Sequence, residues 1–578
     1  MKSRTFHTLC LLLTCSLIYG QTKQGTHPVP AQHTAPSKKL RIEGLRAKID
    51  LIVSKSIVPM GPGISIGITY KGEPIISSHY GLMNLDYQMP ASDSTAYNLA
   101  SVSKHITAFG ILLLESEGKL NLNDTIGKYV PNLLFKEKNI TIRQLLHHAS
   151  GIPSTDNLRL FGNIRSGSPW SMKDEIELLT RYTQLNFKPG AEFLYSNGGY
   201  SLLAAVVESA SGENFAAFFK KKVFDPLGLI SDTNNLPGKI IKNQARGYKP
   251  NLKSFETVFT EAETVPGPSN FYFNMKDMLL WMNFLMGEKP EHKIILAKMR
   301  TPSFTLSSGE LLPYSYGLFI GKYKNVKRLS HSGGTTGFAS YMTLFPEYDL
   351  GIAIMTNNEK IDVQGIALQI TDSILSDYIK ADVPVKRMAV KLREQQLEKW
   401  AGSYRMADQD LVKVIFSGGK LLIKFAESPD IQLPPESAGN FYIKEANVQM
   451  KFIEGTAYKA ARLNIIEGKE VQTGMLINSR ELNLPAPANI LLIGSYEHPQ
   501  LAITYQVTVE NEQLILKLPS TFEDLLGFNQ VKLTSIGGDV YRSDRLRIVE
   551  FSRNAKNEIS GFKINDVGRI RNITFVKK

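Results

Sequence analysis

The sequence predicts an α+β domain followed by two small antiparallel β-barrels, and three observations support this fold class. Strand patterns lie at both ends of the first 380 residues, with a mainly helical region between them. Beyond that point the chain changes to short alternating strands. In this second part a Gly-Ser-Tyr triplet occurs at 402–404 and again at 494–496, which indicates an internal repeat of about 90 residues.

The first domain is predicted over residues 40–380, with a sheet built from both of its ends. An amphipathic pattern predicts a helix over 40–53, and alternating apolar residues over 64–72 begin a hairpin. A second hairpin turns at 346–349 and precedes an apolar-periodic helix near 363–379. This order does not match alternating βαβ units, so we expect one antiparallel sheet with flanking helices and a helical insert.

Two β-barrel repeats are predicted after this domain. The segment ADVPVK, 381–386, marks the boundary. The repeats are placed at 390–484 and 489–578, and their hairpin patterns at 412–425 and 503–518 have Gly or Asn at the turn. A barrel is expected because closing the sheet removes its exposed edges.

The first 20 residues are typical of an export signal. Lys2 and Arg4 precede an apolar stretch, 9–18, which is too short to span a bilayer. Residues 21–39 are polar, rich in Pro, Thr and Gln, and are predicted to be a flexible linker. The mature protein is therefore expected to be periplasmic or secreted, with no transmembrane segment.

The cysteines and the net charge restrict the cofactors and partners. Cys10 and Cys15 both lie inside the predicted signal, so no disulfide and no Cys-based metal site is predicted. No metal or other cofactor is expected. Lipid attachment at Cys15 is the alternative to cleavage, although Thr14 is larger than the residue usual before such a cysteine. The net charge of +13 is scattered along the chain. This disfavours nucleic acid and leaves an anionic cell-envelope polymer as a candidate partner.

The pattern Ser-x-x-Lys occurs four times, and one copy has the context of a catalytic pair. Ser101 and Lys104 begin a long helical pattern and lie within about 60° of each other around its axis, whereas Ser103 lies about 100° from Lys104. A serine in this position can also be a simple N-cap, so the pair alone leaves both roles open. The other copies lie at a helix end, a hairpin tip and a strand start: Ser116/Lys119, Ser417/Lys420 and Ser560/Lys563.

Three motifs in order resemble the penicillin-recognising serine hydrolases, the superfamily of serine β-lactamases and D-Ala-D-Ala carboxypeptidases. SVSK lies at 101–104, within NLASVSKHITAFGILLLESEGKL. YSN follows at 195–197 in FKPGAEFLYSNGGYS, and HSGG at 331–334 precedes the second hairpin. The resemblance covers roughly residues 41–380. It implies a β-lactamase/transpeptidase-like fold and a serine hydrolase that works through an acyl-enzyme.

The resemblance also implies roles for the residues of the motifs. Ser101 would be the nucleophile, and Tyr195 would protonate the leaving group. Lys104 would accept the serine proton, or act as the cation that makes Tyr195 a base. Both side chains have reference pKa values near 10, and a coupled pair titrates together, so the choice between the two bases stays open.

The remaining motif residues would bind the substrate. Asn197 would hold the substrate amide and the lysine. Gly333 and Gly334 would let the substrate backbone approach the strand, and the N–H groups of Ser101 and Gly334 would form an oxyanion hole. His147 and His148, in LLHHASG, are expected to be buried structural residues.

His331 departs from the Lys-Thr-Gly usual in β-lactamases. A histidine is mostly neutral near pH 7, whereas lysine would be a permanent cation for a substrate carboxylate. This favours the D-aminopeptidase and esterase branches, where His-x-Gly is found and where two C-terminal β-barrels also occur, and a small-molecule or peptide substrate. A β-lactamase or carboxypeptidase, and a non-catalytic envelope-binding protein, are the alternatives.

Overall fold

The structure is a computed structural model, and it describes residues 40–578 except for short gaps. The predicted signal, the linker and the boundary segment 381–386 lie outside the described residues. The described residues divide into two compact units, which fall within Val29–Arg159 plus Ile164–Asp382 and within Leu160–Asn163 plus Val383–Lys578. The gaps are 136–138, 166–167, 234–237, 253, 259–262, 380–386, 407–410, 426–428, 444–447, 455–460, 468–469, 477–486, 544 and 566.

One seven-stranded antiparallel sheet forms the centre of the first unit. The N-terminal strand Ile64–Tyr70 pairs with Leu350–Thr356 from the other end of the domain, in the register Ile64 to Thr356. The predicted sheet from two chain ends is therefore confirmed. The strand order is Tyr314–Ser315, Leu318–Tyr323, Val326–Thr335, Phe338–Phe345, Leu350–Thr356, Ile64–Tyr70 and Glu73–Tyr80.

Helices cover both faces of this sheet. Leu45–Val53 and Val363–Leu375 share a hydrophobic core with one face, as their apolar periodicity predicts. Met275–Met286 packs on the strand Ile64–Tyr70 from the other side, where a side chain at Gly67 would collide with Met275. The other helices of the unit are Ser103–Ser116, Ile142–Leu146, Thr155–Phe161, Met172–Arg181, Asn197–Ser211, Phe215–Phe219, Lys220–Phe224, Asp225–Leu227 and Lys293–Met299.

The helix Ser103–Ser116 lies in the middle of the insert and is buried along its length. Every residue from Ser103 to Leu114 is buried, so its side chains are held by packing on all sides. It packs against the helix Asn197–Ser211. Within the described chain, no helix is both long enough and apolar enough to cross a membrane.

The first repeat of the second unit is an antiparallel sheet of nine strands. Its edge strands, Ile431–Gln432 and Pro435–Ser437, are separated by two residues in the chain. Two residues span at most about 10 Å, so the sheet must curl until its edges are neighbours. From edge to edge the strands are Ile431–Gln432, Lys420–Phe425, Leu411–Ser417, Gly402–Met406, Glu470–Leu476, Arg462–Glu467, Val448–Ile453, Asn440–Ile443 and Pro435–Ser437.

The second repeat is a closed eight-stranded barrel, and the predicted fold class is confirmed. Its first and last strands pair, with Tyr496 opposite Lys577. The short helices Glu394–Glu398 and Asn489–Leu492 precede the two repeats, and Ser520–Leu526 lies within the second. The barrel strands are Gly494–His498, Ile503–Glu510, Gln513–Lys517, Gln530–Gly537, Val540–Ser543, Ile548–Arg553, Ile559–Asn565 and Ile573–Lys577.

The Gly-Ser-Tyr triplet has the same structural role in both repeats. Tyr404 donates a hydrogen bond to the carbonyl of Trp400 at 3.0 Å, and Tyr496 donates one to Leu492 at 2.7 Å. Both tyrosines are fully buried. The hydroxyl therefore ties each first strand to the last residue of the preceding helix or to the turn just after it, which explains the recurrence of the triplet.

Candidate active site

Ser101 lies on a short 3-10 turn, Ala100–Val102, that leads into the buried helix Ser103–Ser116. Neither element has a side-chain cap hydrogen bond, so Ser101 is not the N-cap of the helix. Ala100 has a φ of 46°, a left-handed conformation that is unfavourable for a residue with a Cβ. Asn98 supports it, because its Oδ1 accepts the Ala100 N–H at 2.8 Å. The backbone thus turns sharply just before the serine.

Lys104 joins the first two motifs. Its Nζ donates to Ser101 Oγ at 3.1 Å and to Asn197 Oδ1 at 2.7 Å. A third bond, of 2.9 Å, goes to the carbonyl oxygen of Pro268, which the sequence patterns did not single out. The lysine is fully buried, so it depends on these oxygens in place of water.

Tyr195 and Asn197 reach the site from the start of another helix, Asn197–Ser211. Ser196 is its N-cap and accepts the N–H of Gly199. The ring centroid of Tyr195 is 4.8 Å from Lys104 Nζ. The structure therefore brings Ser101, Lys104, Tyr195 and Asn197 together, although about 90 residues separate the first pair from the second.

His148 packs directly against Tyr195. The ring centroids are 4.2 Å apart, and His148 Nδ1 accepts the backbone N–H of Ser196 at 3.1 Å. It is buried, as the sequence predicted. Its contact with the YSN segment was not predicted, since the two lie 47 residues apart and no local pattern links them. His148 thus contacts the Tyr195 ring and also binds the backbone N–H of Ser196.

Gly333 lies against the turn that carries Ser101. A Cβ at this position would collide with the Ser340 hydroxyl and the Leu99 carbonyl, and would lie 3.1 Å from the Ser101 nitrogen. Ser340 itself donates to Leu99 O at 2.6 Å and so ties the neighbouring strand to this turn. A Cβ at Gly334 would meet open space. The strand can therefore lie close to Ser101 only because position 333 is glycine.

His331 is a buried residue of the same strand, Val326–Thr335. Its Nδ1 donates to the carbonyl of Ser332 at 2.6 Å, and its Nε2 and the Tyr314 hydroxyl are hydrogen-bonded at 3.2 Å. The ring centroids of His331 and Tyr195 are 6.0 Å apart. Tyr314, which the sequence patterns did not single out, also packs on His148, at 4.6 Å between centroids.

This arrangement has the geometry for acyl transfer through the serine. A general base must lie within about 2.6–3.2 Å of the atom that gives up its proton, and Lys104 Nζ meets this distance. The backbone N–H of Ser101 lies beside the strand at Gly333, where a carbonyl oxygen would develop negative charge during attack. The buried helix Ser103–Ser116 holds Lys104, and the sheet holds Gly333 beside Ser101.

Comparison with known proteins agrees with this fold and motif order. Residues 59–370 match the family described as Beta-lactamase. The chain belongs to the beta-lactamase family, whose members share the β-lactamase fold and are serine hydrolases. The resemblance drawn from the three motifs is therefore confirmed.

Two curated relatives show how far the similarity extends. Penicillin-binding protein 4* of Bacillus subtilis (strain 168) is 26% identical over 411 residues, which are 67% of this chain and 89% of that protein. Protein flp of Staphylococcus aureus (strain MW2) is 29% identical over 308 residues, which are 51% of this chain and 59% of that protein. The similarity thus spans somewhat more than half of flp.

Two solved structures share the fold. The octameric penicillin-binding protein homologue from Pyrococcus abyssi superposes with a TM-score of 0.51 at 23% identity, covering 75% of this chain and 99% of that chain. The crystal structure of SurE gives a TM-score of 0.50 at 18% identity, covering 75% of this chain and 98% of that chain. At these identities the likeness concerns the fold alone.

Proposed function

We propose that this protein is an exported serine hydrolase that forms an acyl-enzyme at Ser101 and cleaves small amide, peptide or ester substrates. The observation that carries the proposal is the position of Lys104 Nζ, 3.1 Å from Ser101 Oγ and 2.7 Å from Asn197 Oδ1. A serine hydroxyl is a weak nucleophile until a neighbouring base takes its proton. Lys104 is placed to do so.

In this mechanism Ser101 attacks the substrate carbonyl while its proton passes to Lys104, or to Tyr195 with Lys104 as the neighbouring cation. The developing negative charge is stabilised by the N–H groups of Ser101 and Gly334. Tyr195 then protonates the leaving group, and water hydrolyses the acyl-enzyme. Asn197 holds the lysine and contacts the substrate amide.

The setting of His331 bears on the substrate class. The ordinary pKa of histidine is near 6.5, so this position supplies no permanent cation for a substrate carboxylate as a lysine would. This supports amide, peptide or ester substrates over those of a D-Ala-D-Ala carboxypeptidase. Export is supported by the basic start of the chain and the apolar stretch that follows it.

A fluorophosphonate probe tests the proposal, since it reacts with activated serines. Wild type should be labelled and Ser101→Ala should not. Ser103→Ala is the matched control: Ser103 lies two residues away, is buried, and accepts the N–H of Phe271 at 3.4 Å. It should retain labelling. An unlabelled wild type, or equal labelling of Ser101→Ala, contradicts the proposal.

A parallel assay with fluorescent penicillin and nitrocefin addresses the alternative of a β-lactamase or penicillin-binding protein; the Bacillus relative is named a penicillin-binding protein. We expect slow or absent nitrocefin hydrolysis compared with hydrolysis of aminoacyl amides or esters. Efficient nitrocefin turnover would instead favour a β-lactamase.

A further inference from the structure

The turn before Ser101 is held by the side chain of Asn98. Asn98 Oδ1 accepts the N–H of Ala100 at 2.8 Å, which is the local bond by which asparagine stabilises a turn. Ala100 is fully buried and has a φ of 46°, in the left-handed region that a Cβ disfavours. Water does not reach this N–H, so Asn98 supplies its partner. Loss of the bond would leave a strained residue with a buried, unpaired donor.

The other partners of Asn98 fix the orientation of its amide. Nδ2 donates to Asn270 Oδ1 at 3.1 Å and to the Tyr272 hydroxyl at 3.3 Å, so both N–H groups of the amide are used. A backbone N–H can only donate, and Ala100 therefore has to face the oxygen of the amide. Asn98 is itself buried. Because every polar atom of the side chain has a protein partner, this network specifies a single arrangement.

Asn270 connects the turn with the loop that binds Lys104. The Nδ2 of Asn270 donates to the carbonyl of Val265 at 3.1 Å, so a side chain closes this loop. Between these two residues, the carbonyl of Pro268 accepts the 2.9 Å bond from Lys104. The pair Asn98–Asn270 thus joins the backbone that carries the nucleophile to the backbone that binds the lysine.

The peptide before Ala100 is bonded to other elements. The Leu99 N–H donates to the carbonyl of Phe271 at 2.9 Å, and the Leu99 carbonyl accepts from Ser340 Oγ at 2.6 Å. Rotation about the N–Cα bond of Ala100 would swing the next peptide plane, which carries the N–H of Ser101. The φ of Ala100 therefore sets the direction of one donor of the proposed oxyanion hole.

We propose that Asn98 is a positioning residue for Ser101, an inference that rests on the function proposed above. Asn98 holds Ala100 in its left-handed conformation and thereby sets the direction of the Ser101 N–H and the place of its Oγ. Through Asn270, the same amide keeps this turn at a fixed place relative to the carbonyl that binds Lys104. Asn98 acts on the reaction through the backbone of Ala100.

Glycine at position 100 offers a direct test, because glycine adopts a positive φ without the penalty of a Cβ. The effect of Asn98→Ala should therefore depend on the residue at position 100. We measure the second-order rate constant of fluorophosphonate labelling in the full-length protein, which reports attack by Ser101 and needs no natural substrate. Asn98→Ala should lower this rate constant about tenfold to a hundredfold in the wild-type background. In the Ala100→Gly background the same change should lower it less than about threefold.

The amplitude of labelling separates positioning from stability. A purely structural role of Asn98 would reduce the labelled fraction at an unchanged rate constant, or slow labelling equally in both backgrounds, and either result overturns the proposal. Asn357→Ala is the matched control: Asn357 is fully buried in the same unit, and its Nδ2 donates to three backbone carbonyls. It should lower the urea midpoint and keep the rate constant. An unlabelled wild type would overturn the proposed function and this inference together.

Asn98→Ser covers the case in which Asn98→Ala does not fold. A serine hydroxyl also accepts the N–H two residues further on, but more weakly than asparagine does. The rate constant should therefore fall about threefold to tenfold in the wild-type background. In the Ala100→Gly background the fall should be less than about twofold. Equal losses in the two backgrounds would overturn the assignment of Asn98.

Discussion

The buried histidine next to Lys104 predicts a specific loss of stability in acid. His105 is fully buried, and its Nε2 accepts the indole N–H of Trp281 at 2.6 Å. Burial lowers the pKa of His105 from 6.5 to about 3, against a smaller opposing effect of a hydrogen bond to the Val102 backbone. The folded protein thus keeps this ring neutral at pH values where the unfolded chain protonates it.

The size of the effect follows from the difference in bound protons. Between pH 6.5 and pH 4 the unfolded state binds one more proton at His105, so the free energy of unfolding falls by about 1.4 kcal/mol per pH unit. The total is about 3 kcal/mol by pH 4. Well above pH 6.5 neither state binds this proton, so the contribution of His105 to the free energy of unfolding no longer depends on pH.

The test compares wild type with His105→Gln in urea unfolding at pH 7 and pH 4. Glutamine does not titrate, and its carbonyl oxygen can still accept the Trp281 N–H. Tryptophan fluorescence reports the transition, with Trp400→Phe introduced into both proteins because Trp400 lies in the second unit. Other groups, such as His147, whose pKa burial lowers to about 4, titrate in both proteins and cancel in the difference.

Wild type should lose about 3 kcal/mol more than His105→Gln between the two pH values. An equal loss in the two proteins would refute the reasoning. It would mean that His105 accepts a proton in the folded state, and hence that its surroundings admit water or rearrange at little cost.

Two further substitutions test the site itself. Tyr195→Phe should slow both fluorophosphonate labelling and ester hydrolysis about 10²–10⁴-fold, the usual contribution of a proton-transfer group, and a loss below threefold would exclude the tyrosine from proton transfer. Gly333→Ala should lower kcat about 10²–10³-fold, because the added Cβ would push the strand away from the Ser101 turn. Gly334→Ala, whose Cβ meets open space, is the matched control, and equal losses in the two variants would show that close approach at Gly333 is not required.

Local patterns were sufficient where the contact partners are close in the chain. The pairing of Ser101 with Lys104 follows from three-residue spacing on a helix start, and the structure has this bond at 3.1 Å. Even here the detail differs, because Ser101 lies on a 3-10 turn and the α-helix begins at Ser103. The strained Ala100 before it has no signature in the sequence, since alanine gives no sign of a left-handed conformation.

Contacts between distant segments were outside the reach of pattern reasoning. His148 stacks on Tyr195, Ser340 ties its strand to Leu99, and Asp156 bonds to Asn197. Each of these side chains is of a common type in an unremarkable local setting. Its role arises only when packing of the insert helices and the sheet brings it to the site.

The sequence by itself determined the family, the two-ended sheet and the order of the three motifs, because helix spacing, strand alternation and motif order are properties of neighbouring residues. Tertiary structure alone decided that the carbonyl oxygen of Pro268 is a third partner of Lys104, and that His331 is buried in contact with the Tyr314 hydroxyl. The physical reason is burial: a lysine and a histidine without water must find protein partners, and only the packed fold determines which partners are within reach.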